Sequence, residues 1–300
     1  MGSVVISLDA ELGWGYVDYD DPPDRVRHAR SGWRTLLSMF DEYDIPATWA
    51  VVGHLMLDDC DGEHADVPAS DGWFLKERDS GRFGPDQRFG YGLVEAVEDA
   101  SADHELGSHS FSHPEFDRID RAWADAELRR CVELARERGY DLDSFAFPRN
   151  SVGHRDVLAE HGFTCYRGVS PVTDADSPLK PLRTLTGGTA LDRRSLLVAP
   201  RVDERGLVNV PASLYLFSFE GTAQRIAEPV VGDPIVRAAR RGIDQAAERD
   251  GVFHVWLHPN NVWREYTRER VRAILEYLDE RRRDSALTVE TMRSVAEDVR

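Results

Sequence analysis

Val4-Val5-Ile6-Ser7-Leu8, closed by Asp9, and Ala47-Thr48-Trp49-Ala50-Val51-Val52, closed by Gly53, are two short apolar runs, and what lies between them decides the fold class. Each is rich in β-branched or aromatic residues and only a few residues long, which reads as a buried strand. Between them, from Asp24 to about Tyr43, the residues Val26, Trp33, Leu36, Leu37 and Phe40 fall at helical spacing, and Asp44-Ile45-Pro46 breaks the helix. Strand, helix and strand with short joins make the parallel βαβ unit, since parallel strands need a crossover and a helix usually supplies it.

The same alternation continues outward. Leu93 to Val97 reads as a short helix, and Ile119 to Arg138 as a long one with Trp123, Leu128, Val132 and Ala135 on one side. Ser144-Phe145-Ala146-Phe147 is a strand, Val152 to His161 a helix and Thr164-Cys165-Tyr166 a further strand. Later come a helix at about Asp233–Arg249, the strand Val252 to Leu257, a helix at about Thr267–Arg283, the strand Leu287-Thr288-Val289 and a helix from Glu290. Two regions break the rhythm. Residues 58–90, rich in Asp, Gly and Pro, predict a functional loop or lid. In 170–230, Pro171, Pro178 and Pro181 mark loops, with Leu196-Val198 and Val208-Val210 as possible strands. No repeat, linker or low-complexity tract divides the chain, so the expectation is one α/β domain over residues 1–300, an irregular barrel of parallel strands. In such barrels chemistry sits at the C-terminal ends of the strands.

Composition narrows the function classes. With 300 residues and 41% of them apolar, the chain can bury a sizeable core. A net charge of −17 argues against nucleic acid or an anionic membrane as partner. Lysine occurs only at Lys76 and Lys180, and an acidic, lysine-poor surface suits concentrated salt, a halophilic habitat. Cys60, Cys131 and Cys165 form no C-x-x-C, which points to a reducing compartment. Without a basic leader or an apolar run of membrane length, a soluble, cytoplasmic protein is expected.

Titratable or polar residues stand just past four of the strands: Asp9 and Glu11, His109 and His113, Arg149 and Asn150, and His258. In His104-Glu105-Leu106-Gly107-Ser108-His109-Ser110-Phe111-Ser112-His113, Gly107-Ser108 reads as the turn that ends a short strand. His109 and His113 then lie on one face of a helical turn, within reach of one ion. Asp9 and Glu11, two residues apart in extended backbone, point to the same side. Taken singly, each is as well explained by a surface histidine or a helix cap; four such endings on one rim are not. His154 begins a helix and serves as either a substrate contact or a cap. His254 reads as a core histidine. Trp14, Trp73, Phe74 and Tyr91 can stack on a ligand or anchor their loops. His28, His54, His64, His104 and His161 have no evident partner.

At these residues the chain resembles the polysaccharide deacetylase family, the NodB homology domain of carbohydrate esterase family 4. The matching stretches are Ser7-Leu8-Asp9-Ala10-Glu11, Ile45-Pro46-Ala47-Thr48-Trp49, Glu105 to His113, Phe147-Pro148-Arg149-Asn150 and Trp256-Leu257-His258-Pro259, in the family's order. The most specific is His109-Ser110-Phe111-Ser112-His113, which fits H-[ST]-x-x-H. The resemblance implies a distorted (β/α) barrel of about seven parallel strands and a divalent metal that hydrolyses N-acetyl groups of amino sugars. It implies Zn2+ first, with Co2+, Mn2+ or Ni2+ as alternatives, and an N-acetylated saccharide as substrate. Carried over, His109 and His113 are metal ligands, Asp9 the base and His258 the acid. Asn150, Trp14 and His154 are candidate substrate contacts.

Two departures qualify the carry-over. Asp9 is separated by Ala10 from Glu11, where the family has adjacent aspartates. Glu11 is assigned as third ligand, with the exchange of the two carboxylates as the alternative. Arg149 follows Pro148 instead of preceding it; it is still assigned to hold the base ionised by an ion pair. A backbone N–H in the 147–152 turn is a candidate oxyanion donor. From the expected cytoplasmic location alone, a nucleotide- or lipid-linked glycan precursor is expected as substrate. Against it stand hydrolysis of a small non-sugar amide or ureide, and a non-catalytic binding protein on the same scaffold.

Overall fold

The computed structural model describes residues 2–19, 22–60, 62–70, 72–74, 84–169, 195–218 and 232–300. Its first strand, β1 (Ser3–Ala10), is buried along its whole length. The others in chain order are β2 (Thr48–Val51), β3 (Glu105–Ser108), β4 (Ser144–Ala146), β5 (Cys165–Arg167), β6 (Arg201–Val202), β7 (Val208–Asn209), β8 (Leu214–Tyr215), β9 (Val252–Leu257) and β10 (Thr288–Glu290). All join one sheet in the order β6-β7-β5-β4-β3-β2-β1-β9-β8, with β10 beside the start of β1. Every pairing among these strands is parallel except β6 with β7. The described residues thus hold ten strands where about seven were expected. The surplus is β6, β7 and β8, two residues each: β7 falls within the possible strand Val208-Val210, while β6 and β8 are too short to leave a periodic signal.

Those short strands also curl the sheet. Val208, Val210 and Ala212 donate their N–H groups to Thr164, Tyr166 and Gly168 beside β5. Ser213 and Leu216 donate theirs to His254 and Trp256 of β9. One stretch thus leaves one edge of the sheet and joins the other, with Pro211, which has no N–H, at the changeover. The result is a distorted, mostly parallel α/β barrel. The loops expected around Pro171, Pro178 and Pro181 lie outside the described residues, as does much of the second half of 58–90.

Strand parity sorts the interior from the outer layer. On β1, Val4, Ile6, Leu8 and Ala10 pack into the larger apolar cluster with Trp33, Leu36 and Phe40 of the helix Ala29–Tyr43. Val5 faces the other way, among Cys165, Val208, Val210 and Val252. Above Val5 on that inner face come Ser7 and Asp9, so the barrel interior turns from apolar to polar toward the strands' C-terminal ends. Trp33 and Trp49, fully buried and stacked at 5.2 Å, bind the first helix to β2; deleting either ring would cost about 3–5 kcal/mol. Helix boundaries follow capping chemistry: Asp120 accepts from Trp123 N–H, and Asp233 from Ile235 N–H ahead of Pro234. Asp44, left-handed at φ 49°, stops the helix Ala29–Tyr43.

Candidate active site

Glu11 leaves the end of β1 on the same side as Asp9, and both carboxylates are buried. Gly15 makes room for the first of them. A Cβ there would stand 2.1 Å from Glu11 Oε1, so any larger residue displaces the carboxylate.

His109 and His113 reach the same spot by a route the sequence reading did not foresee. Gly107 and Ser108 belong to β3, and the histidines that follow are not helical. Ser110 (φ 64°) and His113 (φ 68°) turn the loop through left-handed backbone, a conformation that costs energy and collects at functional sites. The loop is tied down on two sides. His109 N–H donates to Val51 O at 2.8 Å, Gly53 N–H to Ser110 O at 2.8 Å and His54 N–H to Phe111 O at 3.1 Å. From below, the buried Glu127 accepts Ser112 N–H at 2.7 Å, Ser112 Oγ–H at 2.5 Å and Trp123 Nε1–H at 3.1 Å.

His109 Nδ1 lies 2.7 Å from Ala146 O. A carbonyl can only accept, so Nδ1 carries a proton and the ring turns its Nε2 inward. That Nε2 is buried with no hydrogen-bond partner among the described residues. It lies 3.7 Å from Glu11 Oε2 and 3.9 Å from Asp9 Oδ2, while His113 Nε2 lies 3.2 Å from Glu11 Oε2. Two ligand atoms roughly 2 Å from a tetrahedral zinc stand about 3.4 Å apart. The orphaned nitrogen, the donor types and the spacing all fit a divalent ion held by Glu11, His109 and His113, whose ligand atoms lie within 4.8 Å of one another.

Asp9 has a buried partner, and it is not Arg149. Arg167, fully buried at the end of β5, spans both Asp9 oxygens at 2.6 and 2.8 Å and reaches Ser7 Oγ at 3.2 Å. Arg149 pairs with Asp18 and Glu115, and its guanidinium lies over the Tyr19 ring. The expectation that Arg149 orients the base is therefore corrected: the turn after β4 aims it at the loops. The strand-end rule would have found Arg167 had the strand been extended one residue beyond Tyr166. Burial pushes the Asp9 carboxyl up, but Arg167, then His109 and His258, outweigh it and hold it below the usual range. Burial acts the same way on Glu11, which His258, His109 and His113 hold well below the usual range. Burial lowers His113, against the pull of Glu11.

His258 closes the group, its Nε2 3.7 Å from Asp9 Oδ2 and 3.8 Å from Glu11 Oε1. Tyr215 Oη donates to Asn261 Oδ1 and so accepts from His258 Nδ1–H at 3.3 Å. Beneath lies His254, whose Nδ1 faces Val210 O; its Nε2 takes the Ser7 hydroxyl proton at 2.9 Å.

The candidate substrate contacts fare unevenly. Asn150 Oδ1 is 3.5 Å from Arg167, at the edge of the cluster. Trp14 is corrected: it is buried, donates to Arg88 O and packs 4.3 Å from the His54 ring, so its face is covered. His154 holds Ile119 O through its Nε2 at 2.8 Å, which ties its ring to the loop before the long helix. Trp73, Phe74 and Tyr91 anchor loops, Trp73 by donating to Ser112 Oγ. In the 147–152 turn, Asn150 and Ser151 give their N–H groups to Phe147 O and Pro148 O, which removes both from the oxyanion candidates.

The family profile described as polysaccharide deacetylase matches residues 15–166, just over half of the 300. The chain belongs to the polysaccharide deacetylase family. As such it is a hydrolase of carbon–nitrogen bonds other than peptide bonds. No curated protein matches it. Among solved structures, a Mycobacterium smegmatis protein assigned as a polysaccharide deacetylase superposes at TM-score 0.63 with 17% identity, covering 99% of this chain and 89% of that one. A Pseudomonas aeruginosa PAO1 protein with the same assignment gives 0.59 at 12% identity, covering 98% and 89%. The PuuE allantoinase gives 0.59 at 13% identity, covering 98% and 89%. At such identities the likeness is one of fold.

Proposed function

We propose that this polysaccharide deacetylase removes N-acetyl groups from a saccharide by a metal-dependent route, with Glu11, His109 and His113 as ligands, Asp9 as base and His258 as acid. The observation that carries the reading is the convergence of two imidazoles and one carboxylate beside a second carboxylate gripped by arginine. A divalent ion held there, zinc by donor type, supplies Lewis acidity toward the amide carbonyl. Asp9, kept ionised by Arg167, takes the proton of the attacking water. His258 Nε2 then protonates the departing amine, without which the tetrahedral adduct reverts to amide. Tyr215 holds the His258 ring for that task, and Asn150 stands where a sugar hydroxyl could be met. The proposal extends to the substrate's form, a nucleotide- or lipid-linked saccharide in a reducing compartment, which accords with cysteines kept as thiols.

The test is acetate release from N-acetylglucosamine oligosaccharides and from nucleotide-linked N-acetylglucosamine, before and after removal of metal by a chelator. Acetate that vanishes with the metal and returns with added zinc supports the reading. Hydrolysis of a cyclic ureide with no acetate from any sugar would replace the substrate class. Metal binding without either activity would leave a binding protein.

A further inference from the structure

Three residues that the proposed chemistry does not use lie together behind the catalytic loop. His54 sits in the short helical turn Gly53–Met56, and Cys60 and His64 in the loop that follows it. One ligand atom from each lies within 4.8 Å of the others, and Cys60 Sγ is 3.3 Å from His64 Nε2. Sulfur and nitrogen ligands at about 2.3 and 2.0 Å from one tetrahedral ion stand roughly 3.5 Å apart. His54 Nδ1 faces Arg88 O at 3.1 Å, which fixes its proton there and presents Nε2 as the donor atom. We propose that His54, Cys60 and His64 form a second metal site, structural in role and suited to a zinc-like ion.

The donor set decides the ion class: thiolate with imidazole selects zinc or a similar borderline-soft ion over calcium or magnesium, which want oxygen. Binding replaces the Cys60 thiol proton, which leaves to solvent. The surroundings suggest the role. The described residues from 57 to 74 contain no strand and no helix, so they bury little backbone hydrogen bonding of their own. Closing such a segment onto a rigid element is what a structural ion does well. His54 is fully buried and supplies the rigid anchor, while Cys60 and His64 are only half-buried and can admit an ion from solvent. Phe111, between the two catalytic histidines in sequence, lies 5.4 Å from the His54 ring and 5.2 Å from the His64 ring. An ion here would fix the wall against which the catalytic loop packs.

The test uses the full chain loaded with zinc or with cobalt, read by metal content and by the sulfur-to-cobalt charge-transfer band. The wild type is expected to hold two ions, one of them giving the band. H109A/H113A should keep one ion and the band. C60S should keep one ion and lose the band, and H64Q, which leaves the thiol in place, should also hold one ion fewer. One ion in the wild type with no band, a band that survives C60S, or an H109A/H113A variant with neither ion nor band would each overturn the proposal.

Discussion

Arg167 grips both carboxylate oxygens of Asp9, at 2.6 and 2.8 Å, from β5 across the barrel interior. The guanidinium is itself fixed by Ser7 Oγ and by the Trp256 ring, 4.5 Å away. A planar fork matches a carboxylate in a way an ammonium does not. R167K should therefore keep charge but lose geometry, lowering kcat at least tenfold. R167M should also destabilise the fold by about 3–5 kcal/mol, because it leaves a buried carboxylate uncompensated. R149A breaks two ion pairs at the surface, with Asp18 and Glu115, and should cost about 0–1 kcal/mol for each. Urea unfolding and steady-state kinetics on the three variants check this ranking; equal losses at Arg149 and Arg167 would refute it.

Gly15 offers a test of Glu11 that replaces none of the three ligand residues. A methyl group would meet the Glu11 carboxylate at 2.1 Å, a clash that only a shift of the side chain relieves. G15A is expected to fold and to lose metal affinity by at least tenfold, read by competition with a chromophoric chelator. Unchanged affinity would mean that Glu11 is not a ligand.

Glu127 acts on the same centre from a distance, through Ser112. It accepts three hydrogen bonds and, being buried, has its carboxyl pushed up, against the pull of Ser112 and Trp123. In E127Q an amide N–H would face one of those donors, leaving a buried group unsatisfied at a cost of about 1–3 kcal/mol. The loop holding His109 and His113 should loosen, and metal affinity fall about 10–100-fold, as for other supports of ligands. Calorimetric melting and chelator competition on E127Q give both numbers, and a loss of stability at unchanged affinity would confine Glu127 to the core.

How much of this could be read beforehand depended on how locally each feature is encoded. β1 and β9 are mostly apolar runs long enough to show where they end, and the residues at those ends, Asp9, Glu11 and His258, stand beside one another in the structure. The histidine pair was legible as residues but not as geometry, because its approach rests on left-handed Ser110 and His113, which no periodicity announces. Arg167 was missed because a three-residue strand gives no clear end. Trp14 was misread because an aromatic in a polar stretch looks exposed until its neighbours, His54 and Phe74, are known. The changeover around Pro211 depends on two partners, β5 and β9, that are remote in sequence.

Stability should fall in mild acid, and His254 supplies part of the reason. Burial, then the charge of Arg167, lowers its pKa from 6.5 to about 3, against the pull of Val210, Pro211 and Asp9. Between those values the unfolded chain binds a proton that the folded chain refuses. The contribution of neutral His254 is therefore whole above 6.5 and is lost as pH drops toward 3, at about 1.4 kcal/mol per pH unit. His104, lowered to about 4 mainly by burial, adds a loss of the same sign. H254Q removes the titrating ring and leaves other acid effects in place. It should be less stable than the wild type at about pH 7, where Ser7 and Val210 lose a matched partner, and the gap should shrink by about 1.4 kcal/mol for each unit below 6.5. Urea unfolding of both proteins from neutral pH to about pH 5 measures that gap. Parallel curves would show that His254 accepts its proton without unfolding.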